Sequence, residues 1–100
     1  MEHDNGNDLR VVIRTLSDHV LDTQAQELEV EDNLGRFTVT ANGEPALAAL
    51  VPSELVLRKH DGGEIRVRVG WGTLTAVGGQ ARLVVHDADV TVIEPMRIAV

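Results

Sequence analysis

Short runs in which apolar side chains recur at every second position constrain this chain more than any other feature. Ile65, Val67 and Val69 alternate with Glu64, Arg66 and Arg68, and Phe37, Val39 and Ala41 alternate with Arg36, Thr38 and Thr40. Leu9, Val11 and Ile13 do the same around Arg10 and Arg14, with Val12 as an apolar exception that suits a strand covered on both sides or lying near a partner. A period of two sends successive side chains to opposite faces of an extended strand, so each run has one core face and one wet face. Turn signals separate the runs: Ser17-Asp18, Asp32-Asn33-Leu34-Gly35, Asn42-Gly43, His60-Asp61-Gly62-Gly63 and Gly78-Gly79. Many short strands at this spacing predict an all-β fold, a two-sheet sandwich or flattened barrel of about eight to ten strands.

Length and composition agree with one small core. A chain of 100 residues has material for a single domain. Its aromatic residues are only Phe37 and Trp71, so the core is built from Val, Leu, Ile and Ala, and valine favours strands. A net charge of −7 repels polyphosphate and argues against a nucleic-acid partner. The absence of cysteine removes disulfides and thiolate metal sites. No apolar run approaches the roughly 20 residues that span a bilayer, and the acidic, polar N-terminus is unlike a signal peptide, so no membrane insertion is expected.

Taken in order, residues 1–8 read as a disordered leader, 9–88 as the sandwich domain, and 89–100 as a short tail with room for one further strand. Glu27, Glu29 and Glu31 form an outward acidic row, which Arg10, Arg14, Arg66 or Arg68 could offset. Leu34 at a turn tip either folds back on the sandwich, the expected outcome, or is presented to another protein. Asn42-Gly43 supplies the positive dihedrals of a primed turn, and Pro45 cannot donate to a ladder, so a hairpin or corner is expected there. Residues 46–50, between two prolines, are too short for an independent helix and form a short strand or a single turn. Gly70 and Gly72 flank Trp71 as in a bulge or close backbone approach, and Trp71 itself is expected in the core.

Residues for chemistry are hard to assemble. The four histidines, at 3, 19, 60 and 86, lack metal-ligand spacing, and only His86 is expected within a strand. His86 and Asp87 are neighbours in an extended segment and point apart. Ser17 and Ser53 have no nucleophile-elbow context, and no helix follows the paired glycines to hold a phosphate. Neither a catalytic residue nor a metal or cofactor is assigned.

Gly35-Arg36-Phe37, a turn, then Pro45-Ala46-Leu47-Ala48-Ala49-Leu50-Val51-Pro52 resembles the N-terminal domain of the epsilon subunit of F-type ATP synthases. Leu9-Arg10-Val11-Val12 and Val20-Leu21-Asp22 are similar to that family's opening strands, and Gly72-Thr73-Leu74 with residues 83–88 to its closing hairpin. The segments at 48–52 and 69–74 look most like the alternate, sodium-pump-associated branch. Ala41 and Gly43 stand where the family carries a proline and a histidine, and Leu16 where a proline is usual.

The resemblance implies a ten-stranded sandwich that clasps the foot of the gamma subunit and rests on the polar loops of the c-ring, performing no chemistry. It places the ring-contact loop at Asp32, Asn33, Leu34, Arg36 and Phe37, and the gamma contact at Ala41, Asn42, Gly43 and Pro45. It further implies a peripheral position on the cytoplasmic face of the membrane, a monomer when isolated, and a role in ATP synthesis and ion transport. The helical hairpin common in the family is not expected here, and with it no inhibitory or ATP-binding role. The alternative reading is a stand-alone sandwich that binds a peptide or carbohydrate, or a diverged or engineered sandwich without the rotor partners; an exposed Trp71 would favour it.

Overall fold

A computed structural model describes residues 8–94. The expected leader lies outside them except for Asp8, as do residues 95–100 of the expected tail. Ten strands follow one another among the described residues: β1 (Leu9–Arg14), β2 (His19–Ala25), β3 (Glu27–Asp32), β4 (Gly35–Val39), β5 (Ala46–Leu50), β6 (Ser53–Arg58), β7 (Glu64–Val69), β8 (Gly72–Val77), β9 (Gln80–Val85) and β10 (Ala88–Ile93). They form two leaves of a sandwich. The first is β4-β3-β6-β7-β10 and the second β5-β8-β9-β1-β2.

β3 belongs to both leaves because its two halves pair differently on one side. Glu27, Leu28 and Glu29 face Arg58, Leu57 and Val56 of β6, whereas Asp32 faces Leu50 of β5. The opposite corner is stitched by side chain and backbone: Lys59 Nζ donates to Gln24 O at 2.8 Å and to Thr23 Oγ1 at 3.0 Å, and Gln26 N–H donates to Arg58 O at 2.7 Å. The sheet is therefore nearly closed on itself.

Alternation decides which side chains meet between the leaves. Leu28, Val30, Leu55, Leu57, Ile65 and Val67 come from the first leaf, and Leu9, Val11, Ile13, Leu50, Leu74 and Leu83 from the second, into one buried cluster. No polar or charged residue is buried among the described residues, so the core costs no desolvated polar group. Val12 is buried but lies outside that cluster, on the outer face, where Asp22 and Arg82 flank it in register. Long polar neighbours shield an outward valine by their stems; the exception in the alternation reflects this shielding.

Two local expectations are corrected. No primed turn forms at Asn42-Gly43: no non-glycine residue among those described has positive φ, and Gly43 does not have it either. Instead, Gly43 N–H donates to Thr40 O at 3.2 Å. A primed turn matches the twist of two strands that pair with each other, and here β4 pairs with β3 while β5 pairs with β8. The chain takes a corner from one leaf to the other. His86 is not within a strand but in the bend after β9, whereas His19 opens β2. The segment 46–50 is a strand because β8 supplies its ladder.

Candidate interaction surfaces

The register gathers the loops at two ends. At one end lie the β1–β2 turn, the β3–β4 turn, the β5–β6 crossing, Trp71 between β7 and β8, and the β9–β10 bend; this follows from Arg14 facing Val84, Gly72 facing Val85 and Leu50, and Ser53 facing Val69. At the other end lie the corner at 40–45, the β6–β7 turn and the β8–β9 turn. The hairpin tip of the ring-contact set, residues 32–34, and the gamma-contact set therefore sit at opposite ends, joined by the five residues of β4, or roughly 17 Å of strand, with Arg36 and Phe37 lying within that strand.

Within the first set the residues behave differently. Asp32 Oδ1 accepts the Leu34 N–H at 2.8 Å, and Gly35, at φ 131°, takes the left-handed geometry that lets the hairpin close. This pins Asn33 and Leu34 at the tip, and Leu34 is 90% exposed. The expectation that it folds back on the sandwich is overturned: a tight two-residue tip leaves its side chain no apolar surface to reach. Arg36 turns back along the sheet, donating to Glu29 at 2.7 Å, to Glu31 at 3.2 Å and to Glu54 O at 3.0 Å. Phe37 is half-buried against the core.

In the second set Ala41 also packs against the core, while Asn42, Gly43 and Pro45 are exposed. A recess of about 330 Å³ beside them is lined by Gln26, Glu27, Thr40, Ala41 and Asn42.

The acidic row is neutralised by arginines other than those expected. Arg36 bridges Glu29 and Glu31; Arg58 reaches Glu27 and Glu29, both at 3.0 Å; Arg66 reaches Glu54 and Glu64, both at 3.0 Å. A 4.0 Å approach of Arg58 to Glu64 makes these one continuous network across the outer face of the first leaf. Hydrogen bonds from Arg36 and then Arg58 hold the Glu29 carboxyl below its ordinary range. Arg10 is instead spent on Asp22 at 2.7 Å. Pairing explains the difference, since Arg58 faces Glu27 and Arg36 faces Glu31 in register.

Trp71 is 66% exposed, against the expectation of a core tryptophan. Its backbone is clamped: Trp71 O accepts the His86 N–H at 2.8 Å, and Gly70 N–H donates to Asp87 O at 3.2 Å. The close approach expected around it is present, because a Cβ on Gly72 would lie 2.4 Å from Val84 O. With Gly70 and Gly72 spent on that approach, the intervening side chain is directed outward.

His60 Nε2 meets Asp8 Oδ1 at 2.5 Å. Among the described residues no three His, Asp or Glu side chains form a group able to hold a metal, and no helix is long and apolar enough to cross a membrane.

The fold is an all-β sandwich of ten short strands whose candidate sites are tips and faces. Residues 8–93 match the family described as ATP synthase, Delta/Epsilon chain, beta-sandwich domain, and the chain belongs to that family. Among solved structures it is similar to a chain of the Euglena gracilis mitochondrial ATP synthase, resolved with OSCP, F1 and c-ring, with a TM-score of 0.81 and 14% identity over 90% of this chain and 57% of that one. It is also similar to a chain of the Tetrahymena thermophila mitochondrial ATP synthase central stalk and c-ring, with a TM-score of 0.64 and 15% identity over 81% of this chain and 65% of that one. The chain thus spans less than two-thirds of either. No curated protein sequence matches it.

Proposed function

We propose that this chain is a non-catalytic central-stalk subunit of a rotary ATP synthase, coupling the catalytic head to the ion-translocating ring by protein contacts. The family match over residues 8–93 carries the reading, and the central stalk and c-ring named for the Tetrahymena assembly support it. The hairpin at 32–37 docks on the ring and the corner at 41–45 on gamma. Opposite ends of one rigid sandwich suit a part that bridges two partners. In this reading Asn33 and Leu34 make the ring contact, while Arg36 braces the hairpin that presents them. The segments 48–52 and 69–74 support membership of the alternate, sodium-pump-associated branch, and the subunit sits peripherally at the cytoplasmic face.

Co-purification with gamma and the c-ring from the same source tests this. Retention by both is expected; failure with both, where a family member is retained, sinks the reading.

The exposure of Trp71 favours a second reading, a sandwich that binds a peptide or carbohydrate by stacking. Tryptophan emission that shifts on adding glycans or peptides would support it.

A further inference from the structure

The end of the sandwich that carries the β3–β4 tip carries two more exposed apolar side chains. Leu16, in the β1–β2 turn, is 88% exposed, Trp71 66% and Leu34 90%. Around the sheet the order is β3-β5-β8-β9-β1. Trp71, entering β8, is thus two strands from Leu34 and two from Leu16, or roughly 10 Å to either side at the usual inter-strand spacing. Three apolar groups share one rim, with the tryptophan in the middle.

Trp71 is also held ready. The two backbone hydrogen bonds to residues 86 and 87, and the glycine that admits the Val84 carbonyl, fix its main chain before any partner arrives. A side chain on a fixed backbone leaves less main-chain freedom to lose on docking, and tryptophan is enriched among residues that dominate interface energy.

The charge of this rim differs from that of the first leaf. The Asp18 carboxylate accepts from Ser17 Oγ at 3.4 Å, and the Asp87 carboxylate lies 3.6 Å from His86 Nδ1. Neither has an arginine or lysine partner among the described residues. Asp32 spends one oxygen on the Leu34 N–H. Of the guanidiniums toward this end, Arg36 is taken up by Glu29 and Glu31, Arg68 faces Glu54 and Asp89 in register, and Arg14 closes β1. Carboxylates left uncompensated around an apolar centre fit a protein surface whose apolar hollows are edged by Lys or Arg. They do not fit an anionic bilayer, which would repel them.

We infer that Leu16, Trp71 and Leu34 act as one docking end, with Trp71 as its anchor, for a protein surface edged with cationic side chains. This rests on the central-stalk reading, in which the surface is the c-ring's exposed end. The docking face then extends beyond the β3–β4 hairpin to the β7–β8 crossing and the β1–β2 turn.

The chain holds a single tryptophan, so its fluorescence reports directly. Purified detergent-solubilised c-ring, purified gamma and vesicles with anionic lipid are each titrated into the whole protein. A blue shift with the ring, absent with gamma and with vesicles, is expected. Trp71→Ala and Leu16→Ser, checked for unchanged thermal unfolding and read by co-sedimentation with the ring because the first variant lacks the fluorophore, should each weaken ring binding about tenfold or more, and raised salt should weaken the wild type; Leu47→Ser, on the outer face of the second leaf, should change nothing. If the wild type binds the ring and both variants bind it as tightly, or if emission moves only with vesicles or only with gamma, the inference is overturned while the central-stalk reading stands or falls on its own binding result. If the wild type binds neither ring nor gamma, both are overturned.

Discussion

The two leaves have the same kind of inner face and opposite outer faces. On the first, Glu27, Glu29, Glu31, Glu54 and Glu64 are bridged by Arg36, Arg58 and Arg66. On the second, Leu47, Ala49, Thr73, Thr75, Val77 and Val84 share the surface with Arg10, Arg14 and Arg82, and Asp22 is tied to Arg10. A net charge of −7 is thus unevenly used. Much of the acid is consumed in a lattice that holds four strands of the first leaf together; the outer face of the second is held by little beyond its backbone ladder. A face that satisfies its own charges has little left for a partner, which directs attention to the rims, where Asp18 and Asp87 are not satisfied.

The largest test concerns what the leaves share. Leu57 and Leu74 are fully buried, one from each leaf, and truncation of such a leucine costs about 2–5 kcal/mol by lost transfer energy and an unfilled cavity. Leu57→Ala and Leu74→Ala should fall in that range together, measured by urea unfolding with one cooperative transition. A loss in only one, or two separate transitions, would break the picture of a single core between equal leaves.

Next comes the lattice. Arg36→Ala removes contacts to Glu29, Glu31 and the Glu54 carbonyl, yet the site is partly exposed and screened, so a loss of about 1 kcal/mol is expected. The loss should shrink as salt is raised; a salt-independent loss would mean that Arg36 acts by packing.

A pH titration sharpens the same point. The Glu29 carboxyl is depressed in the folded protein, first by its hydrogen bond to Arg36 and then by that to Arg58. A depressed acid stabilises the fold fully above its ordinary, unfolded value and loses that contribution as pH falls through the folded value. Stability should therefore decline below about pH 4.3, and Glu29→Gln should flatten that decline relative to wild type. An equally steep decline in the variant would remove Glu29 from the account.

The smallest effect belongs to the second leaf's outer face. Leu47 is 82% exposed, and Leu47→Ser should change stability by no more than about 0.5 kcal/mol. A larger loss would reveal a covering contact and end the contrast between the faces.

Ile65, Val67 and Val69 show how much was readable in advance. Their alternation with charged residues depends only on the geometry of one extended strand, so it named the core face before any partner strand was known. The same holds for Leu9, Val11, Ile13 and Val39, and for the close approach at Gly72. Asn42-Gly43 shows the limit. Its composition suits a primed turn, but whether one forms depends on whether the flanking strands pair, and they do not. Arg58 and Arg36 were missed as partners of the acidic row for a like reason: they become neighbours only through register with a strand distant in sequence or across a turn. Phe37 and Ala41, expected at contact surfaces, are partly taken up by the core.

By itself, then, the order of residues determined an all-β sandwich, its inward side chains and its turn positions, because each follows from the stereochemistry of a few consecutive residues. The tertiary structure alone decided that Trp71 and Leu34 stand in solvent, that Arg36 lies along the sheet, and that the hairpin tip at 32–34 and the gamma-contact set occupy opposite ends. Those outcomes depend on which strands lie side by side, and that choice is made by the burial of the whole core at once.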